Sequence, residues 1–548
     1  MWSYANVWEP IAAAIPNRPA QIQGDRVLSW ADFDRRANAL ARHFLDLGLT
    51  RQSKVAAYLF NCPEYLETYY AAFKAGLAPV NTNYRYVADE LIYLFDNADA
   101  EAVVFHASFA PTVDAIRGKL PKVKAWIAVA EPGHPVPPFA GDYDAIVAAR
   151  EGRVLAPWGR SSDDLLILYT GGTTGMPKGV MWRQEDLFFV LGGAGNFFLG
   201  TPPASRPEEA AERVLAAIAS GDQISGPQTT LAAAPLMHGT SQFTAIIGLT
   251  AGGASACLPS RGHFDANELW SEVERLKVNA ISIVGMAFAQ PMLAALDANP
   301  GRWDLSSLRR IGSSGTVWSM ENKQGLLAHL PDCQIFDSLG SSEAVGLGAS
   351  ASGAAAGGAA ETAKFMVTAN SACFTEDGRR VEPGSGERGL LAVSGYLPVG
   401  YYKDQEKTDR TFKVFEGRRW SVPGDWATVE ADGSLKLLGR GSQVINTGGE
   451  KVFPEEVEEA IKRYPGVRDA AVVGVPDPRF GERICAVVDS GDGPAPSLEE
   501  LAEHVRQHLA RYKAPRELVV APINRAANGK LDYKGVRAEA LKALGLPA

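Results

Sequence analysis

Before residue 160, hydrophobic and polar positions alternate between two rhythms. Over Ala31–Leu47 the apolar residues Phe33, Ala37, Leu40, Ala41, Phe44 and Leu45 recur at helical spacing, marking one face of a helix for burial. Val55–Phe60 is a short unbroken apolar run, the pattern of a strand covered on both faces. Tyr65–Ala75 returns to the helical rhythm, and Gly76-Leu-Ala-Pro-Val80 leads into another strand. This alternation predicts an α/β layer structure around a parallel sheet, with no catalytic constellation of its own.

Further along, strands are expected at Leu165–Leu168, from Val180, at Thr230–Pro235, Ala280–Val284, Leu308–Gly312, Ala470–Val475 and Ile484–Val488. Phe243–Gly253 reads as a helix, and the spacing of Leu498, Leu501, Ala502, Val505 and Leu509 as an amphipathic one. Gly192-Gly-Ala-Gly195 makes a poor helix interior; its small residues either permit close helix packing or leave room for a bulky ligand. Residues 201–228, rich in Pro, Ala, Glu and Ser, read as a surface excursion, and Ala349–Ala360 as a mobile low-complexity loop. A chain of 548 residues exceeds what one core can organise, so at least two domains are expected.

The chemistry centres on Tyr169-Thr-Gly-Gly-Thr-Thr-Gly-Met-Pro-Lys-Gly179, set between two strand-like runs. Gly171, Gly172 and Gly175 let the backbone turn sharply and bring its N–H groups close to an anion. Thr170, Thr173 and Thr174 add hydroxyls, and Lys178 adds a positive charge. Such a loop suits a polyphosphate. It is not a Walker loop, because counting from Gly171 or Gly172 puts Met176 or Pro177 where that motif needs its second glycine. A plain surface turn is the competing reading of this segment on its own.

The segment resembles the phosphate-binding signature of the adenylate-forming superfamily, which comprises acyl-CoA synthetases, luciferases and the adenylation domains of peptide synthetases. Seven further segments follow in that family's order. Leu236-Met-His238-Gly resembles the place where a histidine or aromatic lies beside the substrate carboxylate, and Phe243–Gly253 would then line the acyl pocket. Ser313-Ser314-Gly315-Thr316 resembles the adenine-contacting turn. Gln334-Ile-Phe-Asp337-Ser338-Leu339-Gly340-Ser-Ser342-Glu343 matches the Tyr-Gly-x-Thr-Glu segment around the nucleotide. There Glu343, with Thr170, would hold the Mg²⁺ that accompanies ATP, and Leu339 replaces the usual aromatic.

Gly424-Asp425 resembles the ribose-binding step, where an acceptor-only carboxylate fits a vicinal diol, and Arg440 stands at the family's nucleotide-contacting position. Gly439-Arg440-Gly-Ser-Gln443-Val-Ile-Asn446 resembles the hinge, with Gln443 and Asn446 in place of the usual charged residues. Thr447-Gly448-Gly449-Glu450 resembles the loop that admits CoA. Asn524–Lys530 resembles the loop carrying the adenylation lysine.

The resemblance covers nearly the whole chain. It implies a large α/β adenylation domain of several layers over 1–439, and a small mobile α+β domain over 440–548 with its hinge near 440–443. It also implies an AMP-forming acyl-CoA ligase using ATP, Mg²⁺ and CoA. Lys530, Glu343, His238 and Thr170 would act at the reaction centre. The wording of Lys178-Gly-Val-Met-Trp-Arg-Gln-Glu185 and Ile445–Val452 is most similar to bacterial fatty-acyl and steroid side-chain ligases, so a hydrophobic carboxylic acid is the expected substrate. Aromatic-acid activation and loading of a carrier protein are the alternatives, and a non-catalytic binding relative or a simple ATPase stands outside them. Because the sequence ends shortly after Lys530, CoA rather than an appended carrier domain is expected as acceptor.

Composition changes little. A net charge of −9 and a pI near 5.6 argue against a nucleic-acid partner. Five scattered cysteines suggest neither a disulfide framework nor a zinc site. No signal peptide and no apolar run of about 18 residues is evident, so a cytoplasmic enzyme without a transmembrane segment is expected, with a homodimer left open.

Overall fold

The computed structural model describes residues 1–149, 152–170, 176–195, 201–221, 226–315, 318–358, 360–361, 364–440, 443, 445–447, 450–477, 481–491, 493–509, 511–525 and 531–546. The described strands form three sheets, two in a large N-terminal part and one in a small C-terminal part.

The first, eight-stranded, sheet carries the predicted alternation. Lys54–Tyr58 lies between Ala78–Asn81 and Ala100–His106, all parallel, and Leu165–Thr170 adds to the free side of Ala78–Asn81. The sheet then turns antiparallel through Lys178–Arg183 and ends on the two-residue strand Gly400–Tyr401. The strands flanking the glycine-rich segment are thus neighbours in one sheet.

The expected helix over Tyr65–Ala75 begins at Pro63, where a missing N–H is no loss, and every one of its 13 residues is buried. It stops at Gly76, whose φ of 65° is left-handed and where a Cβ would lie 2.8 Å from the Trp158 indole nitrogen. Its aromatic side chains pack with Trp8 and Phe33 from the two preceding helices, Tyr4–Ala14 and Trp30–Asp46. Each such large side chain contributes about 1.5–3 kcal/mol on burial.

The second sheet follows the path of the remaining N-terminal strands. Thr229–Ala232, Ala280–Ile283, Arg310–Ser314 and Gln334–Ser341 run parallel side by side, so their C-terminal ends share one edge. Antiparallel strands from Ala344 to Arg440 continue it. The C-terminal part packs helices Pro454–Lys462, Leu498–His508 and Tyr533–Ala543 on a five-stranded sheet.

Two expectations are corrected. Within 201–228, Glu209–Ser220 is a helix whose Ala210, Ala211 and Val214 are buried in the main core. Its alanines are strong helix formers and small enough to pack against the N-terminal helix. The start of Ala349–Ala360 is not a loop: Ala344–Ser352 is a strand paired antiparallel with Gln334–Ser341, and Ala354–Ala356 is a short 3₁₀ turn. The long partner strand supplies the hydrogen bonds that the Ala/Gly/Ser composition does not advertise.

The five cysteines are buried and unpaired. Among the described residues, no helix is long and apolar enough to cross a membrane.

Candidate functional site

At the C-terminal edge of the parallel strands opens a cavity of about 2010 Å³. Ligands of doubly wound sheets gather at such edges, beyond the strand ends. Thr170, His238, Ser314, Gly315, Asp337, Ser338, Leu339, Gly340, Ser342, Glu343 and Asp425 all line it. Residues spread over more than 250 positions of sequence therefore border one cavity.

Thr170 ends its strand and is held in place from below by Asn81. The Asn81 Oδ1 accepts the Tyr169 N–H (2.6 Å), while its Nδ2 donates to the carbonyls of Tyr169 (2.8 Å) and Met237 (2.7 Å). One buried amide thus ties the start of the glycine-rich segment to the residue before His238. His238 is the N-cap residue of helix Gly239–Thr250, and Gly239, Thr240, Phe243, Thr244 and Ile247 of that helix line the cavity. A face of helix Met286–Ala298, bearing Met286, Gln290, Leu293 and Ala294, lines it as well.

Asp337 lies in strand Gln334–Ser341 beside the Lys323 ammonium at 3.3 Å, both almost fully buried. Burial pushes the Asp337 carboxyl up to about 6, against the pull of Lys323. Glu343 sits in the two-residue turn between this strand and Ala344–Ser352. Three side chains hold the turn. The Trp182 Nε1 donates to the Ser342 carbonyl (3.0 Å), the Ser421 Oγ to the Glu343 carbonyl (2.6 Å), and the Tyr401 hydroxyl to Glu343 Oε1 (2.6 Å). Among the described residues Glu343 Oε2 has no hydrogen-bond partner.

Asp425 opens strand Asp425–Val429 and stands directly across from Arg440 in the neighbouring strand. The two positions that the motif comparison joined by spacing are joined by register. Gln443 also lines the cavity.

Lys178 is placed differently from Thr170. It is not one of the cavity-lining residues, and its ammonium pairs with Asp404 at 2.8 Å. That bond raises the lysine and lowers the carboxyl from their ordinary values. Gly171, Gly172, Thr173, Thr174, Gly175, Thr316, Gly448, Gly449 and Lys530 lie outside the described residues, as do the side chains of Arg440 and Glu450.

Asn81, Tyr401 and Asp404 escaped the sequence reading. Asn81 had one usable signal, a polar residue at the C-terminal end of a parallel strand; Tyr401 and Asp404 had none beyond a turn-like Gly-Tyr-Tyr-Lys-Asp.

Two oxygen ligands stand on the polar wall: the Glu343 carboxylate, whose Oε2 is unengaged among the described residues, and the Thr170 hydroxyl. That set fits a hard cation such as Mg²⁺, which takes one or two carboxylates and completes its shell with phosphate oxygens and water.

Comparison with known proteins agrees with the family resemblance. Residues 8–402 match the family model described as AMP-binding enzyme, and 456–530 that of the AMP-binding enzyme C-terminal domain. The chain is 40% identical over 539 residues to the medium/long-chain-fatty-acid–CoA/3-oxocholest-4-en-26-oate–CoA ligase of Mycolicibacterium smegmatis, covering 97% of this chain and 95% of that protein. It is 41% identical over 541 residues to the 3-oxocholest-4-en-26-oate–CoA ligase of Rhodococcus rhodochrous, covering 97% and 94%. In fold it is similar to the crystal structure of the anthranilate CoA ligase AuaEII in complex with anthranoyl-AMP, with a TM-score of 0.81, 21% identity and coverage of 100% and 98%.

Proposed function

The chain belongs to the AMP-binding enzyme family, and from that premise we propose that it joins a hydrophobic carboxylic acid to CoA through an acyl-AMP. The observation that carries this reading is a single cavity with a polar strand wall and an apolar helical one. Identity of 40% across nearly the whole of a ligase for fatty and steroid side-chain acids supports medium- to long-chain or polycyclic acids as substrates.

Two displacements make up the reaction. A carboxylate oxygen attacks the α-phosphorus of ATP, forming the acyl–phosphate bond and expelling pyrophosphate. The CoA sulfur, having lost its proton, then attacks the acyl carbon, and AMP leaves. The protein supplies position and charge rather than a covalent partner. Thr170 and the glycine-rich loop after it cradle the terminal phosphates, Ser314 and Leu339 flank the base, and Asp425 accepts from the ribose hydroxyls. Glu343 and Thr170 hold Mg²⁺, which when bound neutralises charge on the phosphate oxygens. Lys530 neutralises charge between the carboxylate and the α-phosphate.

Residues 1–439 act as the adenylating unit and 440–548 as the smaller one, which turns near Gln443 to bring Gly448 and Gly449 to the acyl-AMP. ATP and CoA as substrates, with five unpaired cysteines, support action in the cytoplasm.

The test is mass analysis of products from enzyme, ATP, Mg²⁺, CoA and a panel of fatty, aromatic and steroid carboxylates. AMP with a fatty or steroid acyl-CoA is expected. ADP, or no nucleotide turnover with any acid, overturns the reading.

A further inference from the structure

The geometry points to Tyr401 as the positioning residue of the Glu343 carboxylate, fixing which of its oxygens meets the cation. This rests on the role proposed above for Glu343.

Three side chains hold the Ser342-Glu343 turn, but they do different things. Trp182 and Ser421 bind main-chain carbonyls and so fix the backbone. Only Tyr401, among the described residues, hydrogen-bonds the carboxylate itself, at 2.6 Å on Oε1. A carboxylate on a fixed backbone still turns about its last side-chain torsion, a soft two-fold rotor. Committing Oε1 to a phenol stops that rotor and leaves Oε2 to meet a cation.

Tyr401 is itself held unusually well for a residue in a two-residue strand. It is 4% exposed, pairs across the sheet with Val180, and donates its N–H to Thr408 Oγ1 at 2.9 Å. The preceding Gly400 has a φ of 157°, and a Cβ there would lie 2.6 Å from the Thr408 side chain, so the segment closes on itself only with glycine at that place. The Lys407 ammonium stands 4.3 Å from the centre of the Tyr401 ring. A cation on the ring face draws electron density from the phenol and makes its hydroxyl a stronger donor.

The same short segment carries Asp404, which holds Lys178 at the far end of the glycine-rich loop. Residues 400–408 therefore touch both the strand that leaves the phosphate loop and the carboxylate of the adjoining turn.

Tyr401→Phe keeps the ring and removes the one hydrogen bond. Mn²⁺ binding to the enzyme with ATP and no acid, followed by electron paramagnetic resonance, is expected to weaken about tenfold, the effect of losing one bond to a charged group. The Mg²⁺ concentration needed for acyl-AMP formation rises in step, while conversion of supplied acyl-AMP with CoA is unchanged. Unaltered Mn²⁺ binding, or equal loss in both half-reactions as from mere loosening, overturns the assignment. Should Tyr401→Phe not fold, Lys407→Met carries the test with an expected weakening of about two- to threefold, and unchanged Mn²⁺ binding there overturns it. Failure of the wild-type protein to form AMP with any acid sinks the ligase reading instead, and is read first.

Discussion

On the strand side of the cavity, Thr170, Glu343 and Asp425 stand where main-chain pairing and specific hydrogen bonds put them. Asn81 ties down Thr170's strand, Trp182, Ser421 and Tyr401 pin Glu343, and cross-strand register sets Asp425 against Arg440. On the helical side, directional bonds are made away from the cavity, by Ser241 to Ser282 and by Gln242 to Tyr65 and Tyr69, while Thr240, Phe243, Thr244 and Ile247 and the face from Met286 to Ala294 turn to the cavity, and what they present is shape. The difference teaches where variation is tolerated. Moving a strand-side group breaks directional bonds whose loss is felt at the phosphates, whereas changing a helix-side residue alters volume and leaves the chemistry in place.

The severest way to test that contrast is Glu343→Gln. Losing the carboxylate is expected to slow acyl-AMP formation by about 10²–10³-fold, leaving the KM for the acid nearly unchanged. Pyrophosphate release at saturating acid measures it, and a change confined to the acid's KM would erase the distinction between the walls.

Asp337 sharpens it from the side of stability. Its ordinary carboxyl value of 3.8 rises to about 6 in the fold, chiefly through burial. Its contribution to stability is therefore complete below about pH 4 and lost as the pH climbs through 6, a swing of about 3 kcal/mol. Asp337→Asn removes that swing, and denaturant unfolding of both proteins at several pH values between 4 and 7 detects it.

The mildest change belongs to the helical wall. Thr244→Trp fills part of the cavity, and turnover of long or polycyclic acids is expected to drop about tenfold while short acids are spared, within the range that pocket shape commands. A competition assay with mixed chain lengths checks it. A uniform loss across lengths would mean that this wall, too, governs chemistry.

Much of this layout was legible in the residues. Periodicity located the helices over Trp30–Asp46 and Pro63–Ala75, and the apolar runs after each located the parallel strands Lys54–Tyr58 and Ala78–Asn81, because a face buried on one side imposes a spacing. The family resemblance of the ordered motifs assigned Thr170, Glu343 and Asp425 to one nucleotide site, and all three line one cavity.

Asn81 and Tyr401 were not legible in the same way. Each acts on a partner far along the chain, Met237 and Glu343, and no local spacing encodes such a meeting. Ala344–Ser352 was missed for a related reason: its strand is imposed by Gln334–Ser341 rather than by its own alanines, glycines and serines.

The hidden cysteines have a practical reach. Burial pushes the thiols of Cys257, Cys333, Cys373 and Cys485 up to about 12, and that of Cys62 well above its ordinary value. At neutral pH their thiolate fraction is on the order of one part in 10⁵, and burial also keeps a maleimide from reaching the sulfurs in the folded protein. A cysteine introduced on the surface would thus label alone in the native background. Donor and acceptor dyes on the two parts of the chain could then report their separation during turnover without first stripping the protein of its own sulfur.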